Sequence, residues 1–285
     1  MSKLEVSTQE FLRFKRFLQD ECGILLEDNK KYLVESRLNK LLESNNIENI
    51  NKLIDDMASP MGKRLRDQVI DAMTTNETSW FRDTKPYNLL KDIIFKDIRE
   101  SSDNIRIGSF ACSSGQEAYS ISMCLHEFKK VFPGSFHKGS AIIGLDISQE
   151  MLAKGMSATY SESEMSHGLS TSRKSIFFHK DKNGLYHVVD EIRDVVRFQQ
   201  LNLLNSFILL GKFDVIFCRN VLFYFEPETR MKIIEKLYHS LNSNGYLILG
   251  GPESIGQYMA IDEEDTPNYF ETISVPLGQY YRKLD

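Results

Sequence analysis

The chain has 285 residues, 41% hydrophobic and 26% charged, with a net charge of −5. That length suits two domains and a core that needs no disulfide or metal staple, and the acidic balance excludes the basic footprint of a general nucleic-acid binder. No apolar run is long enough for a membrane-spanning helix and no signal-peptide core opens the chain, so a cytoplasmic protein without membrane insertion is expected.

Residues 1–72 read as an all-helical domain. Phe11, Leu12, Phe14, Phe17 and Leu18 follow helical spacing after Ser7 and Thr8, either of which can cap. Leu33, Val34, Leu38, Leu41 and Leu42 predict a second helix. Leu53, Ile54 and Met57 predict a third, ending near Ser59-Pro60, and Leu65, Val69, Ile70 and Met73 a fourth. Residues 73–100 read as a linker carrying Thr75-Asn76-Glu77-Thr78-Ser79-Trp80-Phe81-Arg82. Adjacent aromatics need cover from water, while Asn, Thr and Arg beside them offer donors and acceptors to a bound polar group. The same octet also fits an irregular turn with two core aromatics and a surface arginine.

From residue 101 onward short apolar runs alternate with helical segments: strand Ile105–Phe110, helix Glu117–Phe128, strand Ala141–Leu145 closed by Asp146, strand Asp214–Cys218, helix Pro227–Leu241 and strand Tyr246–Leu249. This alternation predicts α/β architecture, a doubly wound Rossmann-like sheet whose ligands sit at the carboxyl ends of its strands. Residues 160–197 interrupt the pattern. Ile176–His179 and Leu185–Val189 flank Lys182-Asn183-Gly184, a hairpin signal that marks an inserted β-subdomain. It is either a decorative excursion or an edge strand offered to a partner peptide.

The polar residues cluster at the predicted strand ends. Ala111-Cys112-Ser113-Ser114-Gly115-Gln116-Glu117 is a small-residue turn with one glycine, so it lets backbone approach a ligand but lacks the GxGxxG pyrophosphate cradle. Asp146, 31 residues beyond Gly115, suits ribose hydroxyls, or alternatively a helix N-cap shared with Ser148. An adenosine cofactor without an obligatory pyrophosphate follows, and S-adenosylmethionine fits better than NAD. Arg219-Asn220 and the Phe223-Tyr224-Phe225 cluster follow the Phe213–Cys218 run, the two Phe rings reading as core and the Tyr224 hydroxyl as the functional group. The four cysteines (Cys22, Cys112, Cys124, Cys218) show no paired metal-ligand spacing and the six histidines no HxxxH pair, so no metal site is expected.

Thr75–Arg82 resembles the TNxTxFFR motif of the chemotaxis-receptor glutamate O-methyltransferases, the CheR-type family. So do Ala111–Met123, Leu145–Ser148, Asn202-Leu203-Leu204, Phe213–Phe225 and Asn244–Gly250, in order along nearly the whole chain to Tyr280-Tyr281-Arg282-Lys283. The resemblance implies a class I methyltransferase sheet that binds S-adenosylmethionine through Asn76, Thr78, Arg82, Glu117, Asp146, Asn202, Leu203, Arg219 and Asn220, and releases S-adenosylhomocysteine. It also implies Arg82 and Tyr224 at the methyl-transfer centre, with Glu117 toward the cofactor's amino group and Asn202 and Leu203 toward adenine. The pattern departs from the family at Gln116 and Ala118, which stand for Glu and Pro, and at Trp80, which stands for Phe.

The implied reaction is in-line attack of a receptor glutamate carboxylate, with a reference pKa of about 4.3, on the sulfonium methyl; being already ionised, it needs no general base. Lys30, Arg37 and Lys40 lie along one side of the second helix and are the candidates for docking acidic receptor methylation helices. A solvated face is the alternative, since residues 1–75 hold 12 Lys/Arg against 13 Asp/Glu. The implied partners are cytoplasmic domains of transmembrane chemoreceptors, with a receptor C-terminal peptide at the inserted subdomain; a monomer suffices. Competing readings are a methyltransferase of the same fold with another protein or a small molecule as acceptor, and a cofactor-binding regulatory module without turnover.

Overall fold

The computed structural model describes residues 4–259 and 269–284. Its first four helices are α1 (Thr8–Cys22), α2 (Lys31–Ser44), α3 (Ile50–Ala58) and α4 (Lys63–Met73). Ser7 caps α1 in a capping box: its hydroxyl accepts from Glu10 N, and the Glu10 carboxylate accepts from Ser7 N. Gly23 ends the helix at φ 75°, a left-handed cap that favours glycine. Phe11, Phe14 and Leu18 pack with Val34, Leu38, Leu53, Met57, Val69 and Met73 in one core. Leu12, expected on the buried stripe, is 53% exposed, because it lies 100° round the helix from Phe11.

The stretch expected as a linker is largely helical. Helix α5 (Lys85–Leu89) runs through a π turn (Leu90–Ile94) into α6 (Phe95–Ser101). Tyr87, Leu89, Leu90, Ile94 and Phe95 are buried in the same core as Ile105, Ile107 and Ile121, so this segment is built into the second unit rather than strung between two units.

That unit continues with β1 (Asn104–Phe110), α7 (Gln116–Val131), β2 (Gly139–Asp146), α8 (Gln149–Ser157), β3 (Thr159–Tyr160), α9 (Thr171–Phe177), β4 (Phe178–Lys180), β5 (Tyr186–Val188), α10 (Asp190–Arg193), β6 (Val196–Gln200), β7 (Phe213–Cys218), α11 (Pro227–His239), β8 (Leu241–Leu249), α12 (Ile255–Met259), β9 (Phe270–Val275) and β10 (Gly278–Lys283). Seven strands form one sheet in the order β6-β2-β1-β7-β8-β10-β9. The first five are mutually parallel, as the strand–helix alternation predicts, and β10 joins β8 and β9 antiparallel. The order reverses between β1 and β7, the place where doubly wound sheets open a ligand crevice. Strands β6, β9 and β10 were not among the predicted elements.

The inserted subdomain is a three-stranded sheet, β3-β5-β4. The hairpin at Asn183-Gly184 is present, with Gly184 at φ 84° and Lys180 paired to Tyr186. Ile176 and Phe177, expected in its first strand, instead finish α9, whose N-cap is Ser170 accepting from Arg173 N.

Candidate active site

A cavity of about 490 Å³ opens at the carboxyl ends of β1, β2 and β7 and is closed on its other side by residues from Cys22 to Arg37 and Met73 to Ser79. Asn76, Thr78, Arg82, Glu117, Asp146, Asn202, Leu203, Arg219, Asn220 and Tyr224 all line it. Residues spread over some 150 positions of sequence are thus gathered round one space, of a size usual for a small-molecule site.

The turn after β1 makes one wall. Ala111 (φ 56°), Ser113 (φ 49°) and Gly115 (φ 91°) are all left-handed, a cluster of backbone strain of about 1–3 kcal/mol per non-glycine residue such as accumulates at functional sites. The result aims Ser113 N at Asp146 Oδ2 (2.7 Å), while Asp146 Oδ1 accepts from Ser148 N (2.9 Å). Ser148 itself caps α8 by accepting from Met151 N, so the N-cap role is its own and not that of Asp146. Burial pushes the Asp146 carboxyl above its ordinary range despite those backbone donors. Gln116, where the family pattern has Glu, accepts from Ser114 Oγ (2.8 Å) inside the same turn.

Across the cavity Arg219, with its side chain 1% exposed, donates to Glu117 Oε2 (2.8 Å), Asp83 Oδ2 (2.6 Å) and the Arg82 carbonyl (3.0 Å). Ser109 Oγ donates to the other Glu117 oxygen (2.8 Å). Glu117 therefore already has a buried cationic partner, where the sequence reading left it free for the cofactor amino group. Burial, the largest single influence, would lower the Arg219 pKa; the charge and hydrogen bond of Glu117, with Tyr87 and Asp83, together outweigh it and raise the pKa. Arg219 Nε is buried and has no hydrogen-bond partner among the described residues.

The octet Thr75–Arg82 enters this site under tension: Phe81 (φ 47°), Asp83 (φ 67°) and Thr84 (φ 51°) are left-handed. Two buried anchors hold it. Trp80 Nε1 donates to the Glu164 carbonyl (3.0 Å), and its ring meets Tyr160 and Phe178 edge-on at 4.8 and 5.0 Å. Phe81 N donates to Ser120 Oγ (3.1 Å), and the Arg173 guanidinium lies 3.8 Å over the Phe81 ring. Arg82, half-buried, donates to the Glu77 carbonyl (3.0 Å) and forms no ion pair among the described residues.

Several expectations change. Phe223, read as core, is 44% exposed at the cavity rim, its ring tilted 47° against that of Tyr224 at 4.5 Å, while Phe225 is buried as expected. Asn202 spends its amide on the protein: Nδ2 donates to the Glu21 carbonyl (2.7 Å) and Oδ1 accepts from Leu204 N (2.9 Å), so it staples the helical unit to the sheet unit. Leu25 N donating to the Tyr224 carbonyl (3.0 Å) is a second staple. Arg37 does not belong to an open docking face, because its guanidinium donates to the Met73 (2.7 Å) and Thr74 (3.2 Å) carbonyls and so caps α4. Lys30 precedes α2 in a 3₁₀ turn and lines the cavity; only Lys40 is an exposed α2 lysine of that trio.

Two site-supporting residues escaped the sequence reading. Tyr160, at the end of β3, donates from its hydroxyl to the Ser114 carbonyl (2.8 Å) and so ties the inserted sheet to the turn after β1. Glu253 is a buried carboxylate behind Asn220. The turn-rich Gly250-Gly251-Pro252 ahead of it was the available signal.

A doubly wound sheet with an acid at the end of β2 and a strained small-residue turn after β1 defines a nucleoside-cofactor protein. The residue set fits S-adenosylmethionine: the Asp146 carboxylate at the end of β2 suits a ribose, and Asn76, Thr78 and the Arg82 guanidinium, without an ion pair among the described residues, line the same cavity as further polar groups. Residues 76–269 match the family model described as CheR methyltransferase, SAM binding domain, and residues 9–74 the CheR methyltransferase all-alpha domain. A chemotaxis protein methyltransferase of Vibrio parahaemolyticus is 42% identical over 90% of this chain and 92% of its own length. Chemotaxis protein methyltransferase 1 of Pseudomonas aeruginosa is 39% identical over 98% and 99%, and that of Borreliella burgdorferi 31% over 88% and 90%. The chain belongs to the CheR family of S-adenosylmethionine-binding methyltransferases.

Proposed function

We propose that the protein methylates glutamate side-chain carboxylates of chemoreceptors in the cytoplasm, giving glutamyl methyl esters and S-adenosylhomocysteine in sensory adaptation. The observation that carries this reading is Arg82: a cavity-lining guanidinium with one carbonyl partner and no acidic one among the described residues. Such a group recognises an incoming carboxylate. The bound cofactor supplies an electrophilic methyl group. The chain's own residues hold and orient the acceptor and exclude water from it.

A carboxylate acceptor with a reference pKa of about 4.3 is ionised at neutral pH. Consistently, no histidine is among the residues that line the cavity. Arg82 orients the acceptor, and Tyr224, with Phe223 beside it, shapes the channel by which it arrives. Asp146 serves the ribose; Asn76, Thr78, Leu203 and Asn220 complete the cofactor wall. Asn202 acts there through the staple to Glu21, and Glu117 through Arg219. Lys30 at the cavity and Lys40 on α2 attract acidic receptor helices. In the inserted sheet β4 is an edge strand, paired only with β5 among the described residues, and it offers backbone groups to a receptor tail peptide.

Transfer of radiolabelled methyl groups to receptor-containing membranes tests this reading. Label released by mild base supports an ester on carboxylates. Base-stable label, or Arg82→Ala with near-normal turnover, refutes it.

A further inference from the structure

Glu253 is a buried carboxylate and has no ion-pair partner among the described residues. Four backbone N–H groups surround its carboxylate instead. Oε2 accepts from Asn220 N (2.6 Å) and Gly250 N (2.8 Å), and Oε1 from Val221 N (3.0 Å) and Leu222 N (2.8 Å). Charge-assisted bonds of this kind are about twice as strong as neutral ones. Three of the four donors belong to consecutive residues just after β7, where Asn220 turns left-handed at φ 58° and the chain enters the 3₁₀ turn Leu222–Tyr224. Val221 N and Leu222 N are among the N–H groups that the start of such a turn leaves without internal partners. Gly250 is bare because a Cβ there would lie 2.6 Å from Glu253 Oε2 and 2.8 Å from Asn220 N.

The segment so held presents Asn220 and Tyr224 to the cavity and follows directly on Arg219. We propose that Glu253 is a positioning residue for methyl transfer: its carboxylate fixes the Asn220–Tyr224 segment so that Arg219, Asn220 and Tyr224 face cofactor and acceptor together. This rests on the cavity being the methyl-transfer site and is independent of which acceptor is used. Glu253 itself touches neither ligand; it acts through the backbone.

The variant that isolates the role is Glu253→Gln, which keeps shape and removes charge. Its NH₂ group points hydrogens at one pair of N–H donors, so that pair loses its acceptor. In the cofactor-free protein, amide exchange at Asn220, Val221, Leu222 and Gly250 is expected to accelerate at least tenfold while β1 and β2 keep their protection. S-adenosylhomocysteine affinity by calorimetry is expected to fall about tenfold, and Glu253→Asp, which retains both oxygens, to recover part of it. Unchanged exchange at those amides, or an affinity within twofold of wild type, overturns the proposal. So does loss of protection that is uniform across the fold in both variants, since that marks a merely structural role. None of these readouts involves a methyl acceptor, so failure to label receptors would count against the proposed substrate and leave this inference standing.

Discussion

Replacing Arg219 by Met removes the cation that three acceptors share, and the double-mutant cycle with Glu117→Gln measures what the pair contributes. The side chains of Arg219 and Glu117 are 1% and 10% exposed and 2.8 Å apart, so the single variant strands a carboxylate in a dry site. Breaking such a buried pair from one side costs about 3–5 kcal/mol. The Asp83 arm adds about 1 kcal/mol or less, because that carboxylate is 47% exposed and screened by water. With an unfolding entropy of about 2.1 cal/mol/K per residue, a chain of this length loses roughly 5–10 °C in Tm. The double variant Glu117→Gln/Arg219→Met leaves no buried unpaired charge and is expected to be about 2–3 kcal/mol more stable than the sum of the single effects. Urea unfolding of the four proteins supplies the cycle. Additive single effects, or a drop below 1 kcal/mol for Arg219→Met, would refute the reasoning that these two groups depend on each other.

Asp146 gives opposite signs for binding and stability. Ribose hydroxyls donate to the ionised form, so S-adenosylhomocysteine affinity weakens as pH falls through the raised folded pKa, by at most about tenfold per pH unit. An acid whose folded pKa is raised holds its proton more tightly in the native state, so its own contribution to folding improves over the same descent. Calorimetry from pH 8 to pH 5 that gives superimposable profiles for wild type and Asp146→Asn would rule this out. Trp80→Phe keeps the apolar anchor and loses the hydrogen bond to Glu164, for about 1–2 kcal/mol and roughly 2–3 °C; turnover is expected within threefold of wild type, and a tenfold loss would contradict the anchoring role. Charge reversal at Lys30 and Lys40 is expected to raise KM for receptor substrate at least threefold at low salt, and an unchanged KM would remove them from docking.

The helical unit was legible because each helix states its buried face in its own spacing, and Ser7 and Ser59-Pro60 mark the start of the first and the end of the third. The parallel strands were legible for the same local reason: β1 and β7 are short apolar runs bounded by polar ends. Strand β6 was not, since Val196 is its only fully buried residue and Val-Arg-Phe-Gln-Gln carries no clean alternation. Strand β9 buries only Phe270, and β10 buries the adjacent Tyr280 and Tyr281 without alternation, so both gain their place from pairing with β8 and each other, a long-range fact. The residues expected at the site line one cavity, because they are polar groups at strand ends or in the segment ahead of α5. Their partners were not legible: that Glu117 meets Arg219, Asn202 meets Glu21 and Arg37 caps α4 depends on contacts across 102, 181 and 36 positions of sequence. Spacing along one helix could place Arg37 on a face; it could not show that α4 ends against that face.

Trp80 is the only tryptophan in the chain, and it lies two residues from Arg82, wholly enclosed between the inserted sheet and the turn that borders the cavity. The protein therefore carries a single-site optical reporter at its own active segment. Excitation near 295 nm addresses that one indole, and its emission maximum, lifetime and quenching by acrylamide describe the enclosure of one known position. Titrations of cofactor, product or tail peptide can be followed through it without a label, each change in signal traceable to the same side chain.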